Sequence, residues 1–510
     1  MRFRLLPIGL IATGLGFAAQ LATAAEQEHS VQAESHTSLE QLDNARRLLD
    51  AKDYPAAGKA LDEILAGDAF KTLEPDQQYA AFVFAAYAAL GGDDLLAAHE
   101  YSVAATSFPM ATGDIWALRA GLAIDVQNWG DAADSLKAVA NQWPDQLAAF
   151  DARTIYRLNS SLDQDPHLEQ PRLELIAALF DANYTLEYGF QPAYLWQDLA
   201  AALIDKKRSE LIQPIVKRID DPHVLARMRI DRRFDEVVKA NPAAFDIAVA
   251  ARSRCVQIRK VMEKHPRDLQ PVIEFMYAQF AIGAFKENVK FADELLESIQ
   301  QAPKEQPPFE DSADKLNWIY DIKAHSLRAL GRWEKSLQVQ KQANALRDVS
   351  DDQVSQAINL GVFYNEHGEP AKALAALEVI DWGRSLSGYG RMQLEHVRLR
   401  AYLQLGQRDA ADPVLAYLRK HQKDAPNTWL TALLDWGDEA GAAALLIARL
   451  RNPKDRVEAL WSVQSFLPLP VMPAEKQSDS RRDAMLNRED VVAAINEVGR
   501  RETLPIYDIN

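Results

Sequence analysis

The sequence predicts an all-α fold, a right-handed α-solenoid superhelix made by stacking helix–turn–helix units. Three observations predict it. Apolar residues recur at helical spacing, and no run shows the sustained alternation of half-buried strands. One pattern of small, apolar and glycine positions returns several times in a single register. The chain has 510 residues, 48% of them hydrophobic, and one cysteine, Cys255. Its framework must therefore come from packing and not from intramolecular disulfides.

The N-terminus reads as an export signal. "MRFR" supplies two Arg charges, Leu5 to Leu21 form an apolar run, and Ala22-Thr23-Ala24 places small residues at a cleavage site. Residues 1–24 are expected to be a cleaved signal peptide and 25–37 a flexible mature N-terminus. No cysteine follows the apolar run, so a lipoprotein is not expected, and no Arg-Arg pair marks a twin-arginine signal. Pro7, Gly9, Gly14 and Gly16 make the run marginal as a retained anchor. No later stretch is apolar enough to span a membrane, so the mature chain is expected to be soluble.

The repeat is clearest in residues 359–377, NLGVFYNEHGEPAKALAAL. With Leu360 numbered 7, Gly361 falls at 8, Tyr364 at 11, Gly368 at 15, Ala373 at 20 and Leu377 at 24. Two antiparallel helices explain that spacing. Positions 8 and 20 are small where the helices cross, position 11 fills the gap beside the crossing, and Gly at 15 takes the left-handed conformation of a tight turn. This resembles the tetratricopeptide repeat, a 34-residue helix–turn–helix unit, and the chain is similar to exported bacterial proteins that carry it.

Other units follow the same register. Ala324, Gly331, Trp333 and Ser336 occupy 8, 15, 17 and 20; Tyr402, Gly406, Ala411 and Leu415 occupy 11, 15, 20 and 24. Toward the N-terminus Ala120, Trp129, Ala132 and Leu136 occupy 8, 17, 20 and 24, and Tyr54 and Ala57 occupy 17 and 20. Between them, Ala85, Gly92, Ala97 and Tyr101 are read at 8, 15, 20 and 24. "FAIGAFKENVKFADELL" fits less well, because Asn288 stands at the small position. Repeats are therefore expected over 38–146 and 268–421. Residues 147–266, punctuated by Pro166, Pro171, Pro192, Pro222, Pro242 and Pro266, are expected to be divergent helical repeats. "ALIDKKRSEL" echoes "ALLDWGDEAG", which makes 422–466 a degenerate helical pair. Residues 467–510 are expected to be a Pro-rich linker and a C-terminal capping helix.

The resemblance implies that first helices line a concave groove and that repeat positions 2, 5, 9, 12 and 13 point into it. That selects Trp318, Asp321, His325 and Arg328 from one unit, Ser355, Asn365 and Glu366 from the next, then Gln393, His396 and Arg400. Trp318, Asp321, His325, Arg328, Asn365, His396 and Arg400 are the candidate protein-binding residues, with Trp318 as anchor and the two Arg residues facing a carboxylate. Exchange of both Arg residues for Glu is expected to weaken binding without changing the melting temperature. The carboxylate clamp of chaperone-binding relatives needs Lys and Asn at 5 and 9, where this chain has Asp321 and His325. In the N-terminal repeats Tyr79, Phe82, Ala86, Ala117 and Gly121 predict a dry, apolar groove.

Composition and motifs argue against other classes. A formal charge of −16 opposes nucleic-acid binding, which needs a concentrated basic face. The ten His form no metal-ligand pair, "GRSLSG" is no nucleophile elbow, and "DQDPHLEQPRLE" has Leu168 where a calcium loop needs Gly. No phosphate cradle is present. The expectation is a non-enzymatic chain without metal or cofactor: a periplasmic scaffold that binds protein partners in a cell-envelope assembly. The alternative is a non-catalytic helical component of envelope polysaccharide export or peptidoglycan processing. Lytic transglycosylases with α-solenoids also carry a lysozyme-like domain, and Glu34-Ser35 and Glu297-Ser298 lack the surroundings of that family's catalytic Glu.

Overall fold

The computed structural model describes residues 39–208, 211–303, 306–346, 353–380, 386–472 and 474–509. The expected signal peptide and the segment 25–37 lie outside the described residues. The chain is all-α, a helical-repeat solenoid divided into two compact units at Ala202/Leu203. That division falls inside the stretch 147–266, which is therefore not one region. Among the described residues there is no strand, only the isolated bridges Asp231–Gly499 and Ser465–Thr503.

The first unit begins with α1 (39–50) and α2 (Tyr54–Ala66), then α3 (Pro75–Gly91) with α4 (Leu95–Thr106), and α5 (Gly113–Asp125) with α6 (Trp129–Gln142). These pairs end on α7 (Ala152–Gln164), α8 (Glu169–Asp181) and α9 (Ala193–Asp205), inside whose last turn the unit stops. The second unit opens irregularly, with short α10 (Ile212–Val216), α11 (Pro222–Ile230) and short α12 (Asp235–Ala240) before α13 (Ile247–Lys264). Regular pairs follow: α14 (Leu269–Ala281) with α15 (Phe285–Gln301), α16 (Ser312–Ala329) with α17 (Trp333–Ala345), and α18 (Gln353–Glu366) with α19 (Pro370–Leu377). Then come α20 (Gly388–Gln404) with α21 (Arg408–Lys420) and α22 (Pro426–Trp436) with α23 (Glu439–Arg451). The last helices are α24 (Arg456–Ser462), α25 (Lys476–Leu486) and α26 (Glu489–Val498).

One turn makes every regular pair. A residue with positive φ follows the first helix: Lys52, Asp93 and Gln127 in the first unit, Gly283, Gly331, Gly368, Gly406 and Gly437 in the second. The next residue's N–H then reaches back to the first helix, as in Asp53 to Leu48 O at 2.9 Å, Glu369 to Tyr364 O at 2.8 Å and Asp438 to Leu433 O at 2.8 Å. This is the Schellman closure, which satisfies orphan carbonyls at a helix end. That same residue starts the second helix, and Asp53, Asp94, Asn128 and Asp438 cap it by accepting from the N–H three residues on. The echoed segments share the device, since Lys207 and Gly437 both take φ > 0 at matching places.

The small positions then fall where the helices cross. The pairs Ala45/Ala57, Ala120/Ala132, Ala324/Ser336 and Gly361/Ala373 are buried. Two crossings carry a polar residue that is fully satisfied as a donor. Ser336 Oγ donates to Ala324 O at 2.7 Å, and Asn288 Nδ2 to Met276 O at 3.0 Å. Asn288 therefore stands in the repeat register, and its amide bridges the crossing. One register needs correction. In the α3/α4 pair the left-handed residue is Asp93 and not Gly92, so the crossing is made by Ala86 and Ala98 instead of Ala85 and Ala97. The Gly was misleading because Asp also tolerates the left-handed region.

At Gly368 the φ of 71° is required while nothing lies within 4 Å of where a Cβ would stand. Gly368→Val is expected to cost about 2 kcal/mol through backbone strain alone, and Gly368→Asn clearly less. Chemical denaturation of the three proteins checks this; equal losses for Val and Asn would show that the turn is not the cause.

The second unit closes on its own beginning. Arg227 of α11 pairs with Glu458 of α24 and stacks over Trp461, 4.7 Å from the ring centre. Arg500 donates from its backbone to Ile230 O at 3.0 Å and from Nη1 to Arg229 O at 3.1 Å, and pairs with Asp235. Tyr507 donates its N–H to Ala281 O at 2.9 Å and sets its ring 4.9 Å from Phe285. The described residues of 467–509 are thus tied to the unit at several points, where a linker was expected. α26 buries Val491, Ala494 and Ile495 and packs on α23.

Candidate protein-interaction face

In the second unit consecutive first helices pack on each other, α14 on α16, α18 on α20 and α20 on α22. The candidate residues lie on this row, and each is engaged within the chain. Asp321, only 3% exposed, accepts at Oδ1 from Gln340 Nε2 at 3.1 Å and from Asn359 Nδ2 at 3.0 Å. Asn365 is fully buried and donates to Val397 O at 2.9 Å. Both tie neighbouring repeats together, so they do not line an open groove. Trp318 is half-buried against the core formed by Leu269, Ile273, Met276 and Ile319.

His325, one turn along α16, places Nε2 3.8 Å from Asp321 Oδ2 and its ring edge-on to Phe363 at 5.2 Å. Burial pushes its pKa below the usual value, Asp321 acts against that, and Arg328 adds to it. Arg328 makes the central contact. Its Nη2 lies 2.8 Å from Glu475 Oε1 and 3.1 Å from Glu366 Oε1. One guanidinium therefore serves a carboxylate from α18 and another from the segment leading into α25. Burial, assisted by Glu475 and opposed by Arg328 and Arg400, pushes the Glu366 carboxyl up to about 7.

The next cluster along the row uses His396 and Arg400 of α20 around Asp435 of α22. His396 Nε2 is 2.8 Å and Arg400 Nε 3.6 Å from Asp435 Oδ2, while Ser478 Oγ donates to Oδ1 at 2.8 Å. Burial alone would raise the Asp435 carboxyl. The His396 hydrogen bond and charge, then Arg400 and Ser478, hold it below the usual range. Arg481 Nη1 caps the end of α22 through Leu434 O at 2.9 Å and Asp435 O at 2.7 Å.

The sequence reading named His325, Arg328, His396 and Arg400 on this row. It did not name Asp435, nor Glu475, Ser478 and Arg481, of which Glu475 lies 147 positions from Arg328 and Ser478 43 positions from Asp435, both outside the repeats. The predicted apolar groove of the first unit is also revised. Ala86, Ala117 and Gly121 are buried in helix packing. Tyr79 and Phe82 stand partly buried beside Phe108, each with ring centres 6.1 Å away, and Phe82 meets Phe70 at 5.3 Å.

No family model matches this chain, and no curated protein matches it. Solved structures do. The Cut9–Hcn1 hetero-tetramer of the APC/C aligns at 11% identity over 93% of this chain and 86% of that chain, with a TM-score of 0.30. Yeast Tom70 aligns at 12% identity over 91% and 99%, with a TM-score of 0.23. The tetratricopeptide domain of P58(IPK) aligns at 14% identity over 82% and 100%, with a TM-score of 0.20. The turns and crossings decide the architecture. The chain folds as a tetratricopeptide-like array. Among the described residues of this array no group of His, Cys, Asp and Glu is arranged to hold a metal ion, and no helix is long and apolar enough to cross a membrane.

The raised Glu366 carboxyl gives the array a pH signature. A group whose folded pKa lies above its unfolded value contributes stability that is complete below about 4.5 and lost as pH rises through about 7. Glu366→Gln fixes the neutral form. Its stability relative to the natural protein is expected to improve from pH 5 to pH 8 by up to about 3 kcal/mol. Thermal melts at the two pH values measure this, and a constant difference would remove Glu366 as the source.

Proposed function

We propose that this chain is an exported scaffold that binds protein partners on its first-helix face within a cell-envelope assembly. One observation carries the binding part: the face already holds another segment of the chain through charged and polar side chains, Glu475 at the start of α25 on Arg328 and Ser478 within α25 on Asp435. Export is supported by the Arg-flanked apolar run Leu5–Leu21 and the small residues Ala22 and Ala24. Cleavage after Ala24 would place the mature chain in the periplasm of a double-membrane cell, and the acidic balance favours protein over nucleic acid as partner.

Two measurements in the native cell test this. The mass of the mature protein from an envelope fraction should begin after Ala24. A photo-crosslinking residue at Trp318 or Gln393 should capture a recurrent envelope protein that is not captured from the exposed second-helix position Lys290. A full-length chain found in the cytosol, or capture only at Lys290, would reject the proposal.

A further inference from the structure

We propose that residues Leu467–Ser480 are a displaceable internal ligand of the first-helix face, and that the face accepts from a partner protein a peptide whose carboxylate takes the place of Glu475. This rests on the scaffold reading above and adds the chemistry of the partner and the device that controls access.

The stretch has the make-up of a bound peptide. It reads LPLPVMPAEKQSDS, with Pro468, Pro470 and Pro473 in its first half, a composition that favours extended backbone with little conformational entropy left to lose. From Leu467 to Met472 it forms no helix. Leu469 packs on Phe280, Phe285 and Ala329, Glu475 meets Arg328, and Ser478 meets Asp435. Its non-helical part thus packs on α14, α15 and α16, and the start of α25 brings the two polar contacts, to α16 and α22.

Beyond those contacts its first residue, Leu467, donates its N–H to Ile506 O at 3.0 Å, and both its ends are fixed elsewhere. Before it, Gln464 donates to Leu460 O and Arg500 O. After it, Met485 and Leu486 are buried at 1% exposure. Within it, Met472 is buried, whereas Val471 is 46% exposed and Lys476, Asp479 and Ser480 are exposed. A segment with so little apolar burial opens at a small fraction of the global unfolding free energy.

The charges around Arg328 also permit exchange. When Glu475 leaves, Glu366 still faces the guanidinium from α18, so no buried cation is left alone. Arg400, His325 and Asp321 are the other charged or titratable groups about Glu366 and Arg328. An incoming carboxylate thus meets Arg328 with Arg400 nearby, a site for an acidic side chain and not a basic one.

The test uses the full chain, natural and Glu475→Gln, with a fluorescent synthetic peptide of residues 467–480 as probe. Amide hydrogen exchange within 467–480 is expected to be about tenfold faster in Glu475→Gln while the core helices keep their protection. The peptide is expected to bind Glu475→Gln about tenfold more tightly than the natural chain, and a peptide with Gln in place of Glu475 to bind weakly to both. Unchanged exchange in the variant would overturn the displaceable segment. Faster exchange without peptide binding would overturn the face as a ligand site. A positive result here, with no envelope protein captured in the cell, would reject the envelope scaffold and leave this inference standing.

Discussion

Arg328→Glu should destabilise the second unit by about 4 kcal/mol or more. Arg328 is the cation between the Glu366 and Glu475 carboxylates, and removal of one partner of a buried pair costs roughly 3–5 kcal/mol by stranding the other charge. Reversal does more, because three carboxylates would share one enclosed volume. This overturns the expectation from sequence that Arg328 could be reversed at constant melting temperature. Arg400 is similarly placed, 3.6 Å from Asp435. The measurement is a melt of Arg328→Glu beside Glu475→Gln, which removes a carboxylate and should cost much less. Similar losses for the two would mean that the contact with the segment, and not the buried charge, dominates. Binding studies on this face therefore need variants of Glu475 before variants of Arg328.

Gly361→Leu should rank with it. Gly361 lies at the α18/α19 crossing, where an added Cβ would stand 2.8 Å from Val397 Cγ1, 3.5 Å from Leu377 Cδ2 and 3.6 Å from Ala373 O. Val397 belongs to α20, so one substitution wedges apart both the pair and the next repeat. A loss of about 3 kcal/mol is expected from overpacking. Gly361→Ala separates the causes. In the natural background it should be destabilising despite the gain of roughly 0.5–1 kcal/mol in helix propensity. With Val397→Ala the clash is gone, and the same change should turn favourable relative to that background. If it stays unfavourable, contact with Val397 is not the reason for the Gly.

These residues show how far the sequence could be read. Gly361, Ala324 and Ala120 announce crossings because small side chains at fixed distance before a left-handed residue have a single geometric use. The misplaced register at Asp93 shows the limit. A turn that accepts Asp, Lys or Gln at φ > 0 carries no compositional mark, so the neighbouring Gly92 attracted the assignment. That residues of α16, α18 and α20 share one row could be read for a related reason, since helical spacing fixes which side chains share a face. What faces that row could not. Glu475 and Ser478 act on residues far away in sequence, and long-range pairing of polar side chains leaves no periodic trace. The stretch 467–480 has the composition of a linker, and its contacts depend on the whole array being assembled.

The closure of the second unit has a temporal consequence. An open array can fold one repeat after another as the chain emerges, because each repeat needs only its neighbour. Here Arg227 and Glu458 are 231 residues apart, and Arg229 and Arg500 are 271 apart. α11 acquires these partners only after residue 500 has been made. Contacts of such sequence separation slow folding, and an incomplete chain keeps its apolar ends uncovered. A chain truncated before Trp461 should therefore aggregate, whereas one that reaches past Arg500 covers α11.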